Sequence, residues 1–375
     1  MDYLAETHQP VCGDNADPPP FSLPLVSVII VNYNYGRFLK QATDSVFDQT
    51  YPNIELIIVD NASTDNSADV LLDILKQHPG TKILRRTNNG GQNTAGKEGF
   101  NASLGEYVVF LDADDVLFPT FVETHIFVLL SLRIPVGFSS ADMLQTANSH
   151  TVVGTVFGLS EYVRSGRGRK PDLIRRIDES APEVWPLCNP GPAFDNQVHF
   201  VQPGDGGWYW APMSANCFRR DALQLFMTNE SLTQPNNCLD AYLIRGISIL
   251  MGSVVIDRPL AAYRLHGTNV FFKQPPLYGV LSYERGLNDN DQIGRKMVID
   301  HLITKTDLFL SKLEDSRTYT RALKALDDAW PRLPSTVRGA GTYVTGKLIS
   351  EPARLARKLG FFNYVSLLVR LRLHL

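Results

Sequence analysis

Residues 25–31 read Leu25-Val26-Ser27-Val28-Ile29-Ile30-Val31. The run is nearly all apolar and rich in β-branched residues, the pattern of a strand buried on both faces, as in a parallel sheet. Polar Asn32-Tyr33-Asn34-Tyr35-Gly36 ends it. Phe38, Leu39, Ala42 and Val46 then mark one face of a helix. The unit repeats. Ile54 to Val59 is strand-like and ends at Asp60-Asn61, and a helix carrying Val70, Leu71, Ile74 and Leu75 follows the cap-type residues Ser63, Asp65 and Asn66. Thr81 to Leu84 reads as a weak strand, Gly90-Gly91 as a turn, and Gln92 to Leu104 as a helix. Tyr107-Val108-Val109-Phe110-Leu111 is again strand-like and ends at Asp112.

Strands alternating with helices predict βαβ units with right-handed crossovers. The expected class is α/β: a Rossmann-like, mostly parallel central sheet with flanking helices. Such sheets bind ligands beyond the carboxyl ends of their strands. Those ends carry Asn32 to Asn34, Asp60-Asn61 and Asp112 to Asp115.

After about Gly137 the pattern loosens, and residues 160–210, rich in Gly, Pro, Arg and Trp, read as long loops. Periodicity returns at Asn216 to Leu225, at Leu239 to Leu250, and in a late strand at Ser253 to Ile256. Beyond Phe272 the chain reads as mostly helical, as at Gln292 to Leu313 and Tyr319 to Trp330. The expected organisation is a disordered tail over 1–23, a ligand-binding α/β domain over 24–271, and a helical region over 272–375. From Arg338 onward seven basic residues face one acid, Glu351. This basic amphipathic tail has two readings: contact with an anionic membrane surface, or packing on the domain or a partner.

The formal net charge of −3 gives no whole-chain field that points to nucleic acid. Cys12, Cys188, Cys217 and Cys238 form no C-x-x-C pair, so neither a zinc site nor a disulfide framework is expected. Free thiols in a reducing cytoplasm fit that usage. Met1 to Pro20 is acidic and lacks the apolar core of a signal peptide. Phe121 to Phe138 is interrupted by Glu123, His125 and Arg133, too polar for a membrane span.

The chemistry centres on Asp112-Ala113-Asp114-Asp115. Carboxylates at i and i+2 past a strand end can face one pocket, where like charges raise one another's pKa unless a cation intervenes. Mg²⁺ or Mn²⁺ is the natural neutraliser, with substrate phosphate oxygens completing its shell. An isolated D-x-D is more often a solvated helix cap; the buried-type strand before this one favours the metal. Asp60 suits a pyrimidine imide or a ribose hydroxyl, or else a helix cap. The stretch Asn88 to Glu98 nearly spells a phosphate-binding P-loop with Gly91, Gly96 and Lys97, but Glu98 stands where Ser or Thr must ligate Mg²⁺. Gly91 is therefore read as part of a turn near a ligand, with Lys97 facing phosphate or solvent. Asp240 starts an amphipathic helix and reads either as a helix cap, which spacing alone favours, or as a general base that the helix N-terminus is expected to keep ionised by lowering its pKa. In Tyr263 to Asn269, Arg264 suits a diphosphate and His266 suits metal or phosphate. Trp208-Tyr209-Trp210 reads either as a sugar-stacking platform or as core.

Taken in order, Val26–Val31, Asp60–Asp65, Asn89–Gln92, Gly105–Asp115, Asp240 and Tyr263–Asn269 resemble family 2 glycosyltransferases of the GT-A fold. Gly206 to Arg220 looks like that family's acceptor-side segment and adds Ser214 and Asn216 to the candidates. The resemblance covers residues 24–270. It implies an inverting enzyme that moves a sugar from a nucleotide-diphosphate donor, often UDP-linked, to a hydroxyl of a glycan or lipid-linked acceptor. It places polysaccharide or glycolipid synthesis for the cell envelope in the cytoplasm, or peripherally at the inner face of the cell membrane. Asn32, Asn34, Asp60 and Asn61 would meet the base or ribose, Asp112 and Ala113 the ribose or metal, and Asp114, with Asp115, the metal. Asp240 would match the catalytic base. Three departures stand out: Leu239 where the family usually has Glu, Asp60-Asn61 where it often has Asp-Asp, and Gly96-Lys97 where it often has Arg-Asn. The alternatives are a non-catalytic nucleotide-sugar-binding scaffold and a dinucleotide oxidoreductase. The oxidoreductase reading lacks the G-x-G-x-x-G that should follow the first strand.

Overall fold

The run at 25–31 forms strand β1 (Val26–Asn32) in the computed structural model. The described residues are 23–147, 150–153, 158–175, 190–191, 193–234, 237–267, 269, 290–313, 315–329 and 342–371. The tail expected over 1–23 falls almost wholly outside them, as do Cys12, Cys188 and the two ends of the basic stretch. Helix α1 (Gly36–Phe47), β2 (Ile54–Asp60), α2 (Ser67–Gln77), β3 (Lys82–Arg85), α3 (Gly91–Ala102) and β4 (Tyr107–Asp112) follow in the expected alternation. β1 pairs in parallel with β2 and β4, and β2 with β3. The register sets Asn32 opposite Asp60 and Val31 opposite Asp112, so the polar strand ends line one edge.

Beyond β4 the chain adds β5 (Val116–Leu117), α4 (Phe121–Ser131), β6 (Phe138–Ala147), β7 (His150–Val153), α5 (Leu159–Ser165), β8 (Val198–Val201), β9 (Asn216–Arg219), α6 (Arg220–Met227), α7 (Leu239–Met251) and β10 (Ser253–Leu265). The sheet runs β3-β2-β1-β4-β9-β6-β10-β5, with β7 on β6 and β8 on β10. Parallel pairing holds across the four strands that begin the fold. β9 then enters antiparallel between β4 and β6, and the far half is mixed. Two expectations are corrected. The stretch just past Gly137, where the pattern loosens in sequence, holds β6, an interior strand of the sheet between β9 and β10. β10 does not stop at Ile256; it continues to Leu265 and returns Arg264 to the site edge.

Helix α3 lies directly on β1 and β2. A Cβ added to Gly99 would overlap Ile29 Cγ2 and come within 3.1 Å of Val59 Cγ2. Both neighbours are stiff, fully buried β-branched residues. Gly99→Ala is therefore expected to destabilise by about 1–3 kcal/mol despite its better helix propensity. A control at Gly80, where a Cβ meets nothing within 4 Å, should change stability by less than about 0.5 kcal/mol. Urea midpoints of the two variants check this.

The C-terminal helices are α8 (Asn290–Thr304), α9 (Thr306–Lys312), α10 (Ser316–Asp328), α11 (Tyr343–Ser350), α12 (Pro352–Leu359) and α13 (Phe361–Arg370). α8 packs along α7, and α12 and α13 pack on α9, α10 and α11. Leu355, Leu359, Leu367 and Leu368 are buried there, so the inner side of the basic tail docks on the protein. Among the described residues no helix is long and apolar enough to cross a membrane.

Candidate active site

The acidic turn is closed by Asp115 N–H donating to the Asp112 carbonyl at 3.0 Å. Its three carboxylates are placed differently. Asp115 is fully buried; its oxygens accept from the Ser214 hydroxyl at 2.7 Å and the Arg264 backbone N–H at 3.1 Å. Burial, then Asp114 and Asp112, push its pKa well above the carboxylate range. Asp115 thus ties the turn to β10, with both oxygens engaged inside the protein. The Ser214 hydroxyl also accepts from Asp112 N–H at 3.1 Å. Ser214 in turn sits in a tight turn held by Asn216, whose amide donates to the carbonyls of Ala211, Pro212 and Met213. Ser214, Asn216 and Ala113 are all buried; they shape the turn from behind.

Asp114 accepts from His266, Nε2 to Oδ2 at 2.8 Å. The imidazole packs against Tyr35 and Phe38, and its backbone N–H donates to Asn269 Oδ1. Asn269 donates back to the Arg264 carbonyl at 2.7 Å. The Arg264 guanidinium lies 4.7 Å from the Phe38 ring centroid. Burial lowers its pKa, and Asp115 and Asp114 oppose that shift. Asp112 is half-buried and accepts from the Gln92 amide at 3.0 Å. Burial, then the charges of Asp114 and Asp240, raise its pKa to about 7.

Asp240 opens α7 and is half-buried. Its Oδ1 accepts from Ala241 N–H at 2.7 Å. Its pKa is not lowered by the helix terminus as expected. Burial outweighs the backbone hydrogen bonds and raises it to about 6. The start of α7 is pinned from α3: Asn237 accepts from Gln92 N–H at 2.8 Å, and Cys238 N–H donates to Asn93 at 3.1 Å. One short segment, Gln92-Asn93, therefore holds both Asp112 and the loop before Asp240. Sequence reading missed these two as site residues; their place beside the glycine turn was the available signal.

Asn32 is fully buried. Its amide reaches Asp60 at 2.9 Å and the hydroxyls of Ser63 and Ser67. It fixes the end of β2 from inside. Asn34 adopts φ +59° and accepts from Thr64 N–H at 2.7 Å. Asn61 accepts from Gly90 N–H at 3.0 Å and donates to Asn89 and to the Gly91 carbonyl. Gly91, at φ +73°, supplies the left-handed backbone that this turn needs. The first three strand ends, the glycine turn and the acidic turn thus form one hydrogen-bonded rim, with Asp60 at its β2 end.

Several expectations fall elsewhere. Lys97 does not face phosphate or solvent; its ammonium donates to the Asn229 carbonyl at 3.0 Å, and Glu98 pairs with Arg86. Trp210 is core, with its indole N–H on Ser253. Trp208 lies under the Arg245 guanidinium, and Tyr209 stacks on Tyr162. Two of the departures from the family pattern meet in space: Leu239 is buried, and a Cβ on Gly96 would overlap its Cδ2. The apolar residue before Asp240 fills the room that the glycine leaves.

Comparison with known proteins gives these arrangements a family. Residues 27–131 match the family model described as Glycosyl transferase family 2. The chain is 32% identical over 246 residues to the uncharacterized glycosyltransferase alr2836 of Nostoc sp., a match covering 65% of this chain and 66% of the relative. It is 36% identical over 100 residues to glycosyltransferase GlyG of Streptococcus pneumoniae, covering 27% of this chain and 33% of that one. The matches thus span between a third and two thirds of the length of these relatives. Among solved structures, S. aureus TarS 1–349 in complex with UDP is 14% identical with a TM-score of 0.44, over 92% of this chain and 90% of that one. The chain belongs to the family 2 glycosyltransferases, and its mixed α/β sheet with flanking helices is of the GT-A class.

Proposed function

We propose that this chain is an inverting glycosyltransferase of the hexosyl type that uses a nucleotide-diphosphate sugar, UDP-linked by preference. The acceptor is a hydroxyl of a glycan or lipid-linked intermediate, in polysaccharide or glycolipid synthesis for the cell envelope. The observation that carries the reading is the convergence of Asp112, Asp114 and Asp240. They come from two distant parts of the sequence, and the charges of Asp114 and Asp240 both bear on Asp112 at the carboxyl end of β4.

In this reading the β1–β2 ends, with Asp60, receive the base and ribose. Arg264 faces the diphosphate as its charge grows. Asp240, with a pKa of about 6, is about ten parts ionised to one protonated at pH 7. It takes the proton from the attacking hydroxyl, and a single displacement inverts the anomeric centre. A domain over 24–271 would hold these groups, with the helices of 272–375 supporting α7.

The residues also fit a divalent cation. Asp112 is driven up to about 7 by burial and two neighbouring carboxylates, the stress that Mn²⁺ or Mg²⁺ relieves. Among the described residues no group of three or more His, Cys, Asp or Glu forms a ready-made cage. Sites that share a cation with substrate phosphates need only one or two carboxylates. Asp112 and Asp114 would hold it, and it would neutralise charge on the diphosphate.

The test is a panel of UDP-, GDP- and dTDP-sugars with Mn²⁺, read as release of the nucleoside diphosphate with and without acceptor. Slow hydrolysis of a UDP-sugar, abolished by chelator, is the expected result. Tight donor binding with no release under any condition would replace the enzyme by a binding scaffold.

A further inference from the structure

Four of the large apolar side chains exposed among the described residues fall within 21 positions of one another at the end of the chain. They are Ile349 at 53%, Phe361 at 66%, Phe362 at 87% and Val369 at 62% exposure. Phe362, Val365 and Val369 follow i, i+3, i+7 spacing and make one stripe along α13. Phe361 and Phe362 sit together at its start, with ring centroids 5.9 Å apart. There Gly360, at φ +82°, turns the chain out of α12.

The stripe is not left over from poor packing, because the opposite side of the same helices is well seated. Leu355, Leu359, Tyr364, Leu367 and Leu368 are buried, and the Tyr364 hydroxyl donates to the Leu348 carbonyl at 3.0 Å. The basic side chains divide in the same way. Arg354 donates to the Ile303 carbonyl at 3.0 Å, and Lys358 pairs with Asp307. Arg357 and Arg370 are exposed and make no ion pair among the described residues. The one acid beyond residue 337, Glu351, is taken up by Arg354.

We propose that the outer face of α12 and α13 docks the protein on an anionic lipid bilayer, with the Phe361-Phe362 corner entering the headgroup boundary and Arg357 and Arg370 meeting lipid phosphates. Aromatic side chains beside exposed arginines suit that interface. A second copy of the chain suits it poorly, since a two-fold contact sets the patch against itself and places like charges together. Among the described residues no helix is long and apolar enough to cross a membrane, and the attachment proposed is peripheral and salt-sensitive. This surface goes beyond the glycosyl-transfer reading and does not depend on it.

The experiment is co-sedimentation of the full chain, without sugar nucleotide, with phosphatidylcholine vesicles that do or do not contain about 30% phosphatidylglycerol. Binding is expected only to the anionic vesicles. The double variant Phe361→Ser/Phe362→Ser, and separately Arg357→Gln/Arg370→Gln, should each weaken it at least about tenfold. The replaced side chains are exposed, so unchanged melting temperatures are expected and exclude misfolding as the cause. Equal binding by the phenylalanine variant would overturn the proposal, as would failure of the parent chain to bind. A concentration-dependent dimer in light scattering that the same variant abolishes would assign the patch to a second copy instead. Nucleotide release measured on the same samples keeps this outcome separate from that of the catalytic proposal.

Discussion

Asp240→Asn is expected to turn over at least ~100-fold more slowly than the parent, a barrier increase of about 2.7 kcal/mol, while donor affinity stays within about twofold. The amide is nearly isosteric and can still accept from Ala241 N–H, so the start of α7 should hold. What it loses is basicity. The attacking acceptor hydroxyl is then left without a base to take its proton, in a half-buried site where water is a poor substitute. The parent's rate should fall as pH drops below about 6, because the raised pKa of Asp240 returns its proton there. The variant should lack that acidic limb. Stability should move the other way. A carboxyl whose folded pKa lies above its unfolded value of 3.8 costs stability once pH passes the unfolded pKa, and fully above about 6. Asn removes that cost, so the variant's thermal midpoint at pH 7 should not fall below the parent's. Initial rates, donor titration calorimetry and a thermal melt decide the matter together. Near-normal turnover rejects Asp240 as the base.

Why so much of this could be read from the chain, and some could not, follows from the forces on each element. β1, β2 and β4 are central parallel strands with both faces covered, so their residues are forced to be continuous and apolar. Their polar ends then stand out against that background. β6 is equally central yet reads Phe-Ser-Ser-Ala-Asp-Met-Leu-Gln-Thr-Ala. Its buried Ser139 and Ser140 are satisfied by His125 and the Ala211 N–H, 14 and 71 positions away. A polar strand stabilised by tertiary hydrogen bonds has no local apolar signature. The same limit applies at the site. Asp112, Asp114 and Asp240 were visible as residue types in context. That Asp115 would turn inward was not, because its fate depends on Ser214 and Arg264, 99 and 149 positions away. The helix-dipole argument for Asp240 failed for a related reason. A terminus effect is local, whereas desolvation is set by α3 and α8 closing over the helix start, and desolvation was the larger. The departures at Gly96 and Leu239 looked like two independent losses; packed against each other, they are one exchange of volume.

Asp114→Ala should remove divalent-dependent donor binding altogether: affinity measured with Mn²⁺ should fall to the value measured with chelator. The reasoning rests on how the acidic turn is divided. Asp115 spends both oxygens inside the protein, so Asp115→Ala should act on stability, leaving Ser214 and the Arg264 N–H without a buried acceptor at a cost of about 1–3 kcal/mol. Asp112 and Asp114 are the carboxylates left to face a cation. Gln92 holds Asp112 at 3.0 Å, and His266 holds Asp114 at 2.8 Å. A residue that orients a ligand typically matters about 10–100-fold in metal affinity. His266→Ala should therefore fall between parent and Asp114→Ala, whereas His266→Gln, which retains a donor, should recover part of the loss. This ordering is harder to produce by accident than a single dead variant, since general unfolding would affect metal-dependent and metal-independent binding alike. Titrating UDP with Mn²⁺ and with chelator across the four proteins gives the comparison. Donor binding that is insensitive to chelator in the parent, or equal in parent and Asp114→Ala, would show that these carboxylates serve the sheet edge and not a cation.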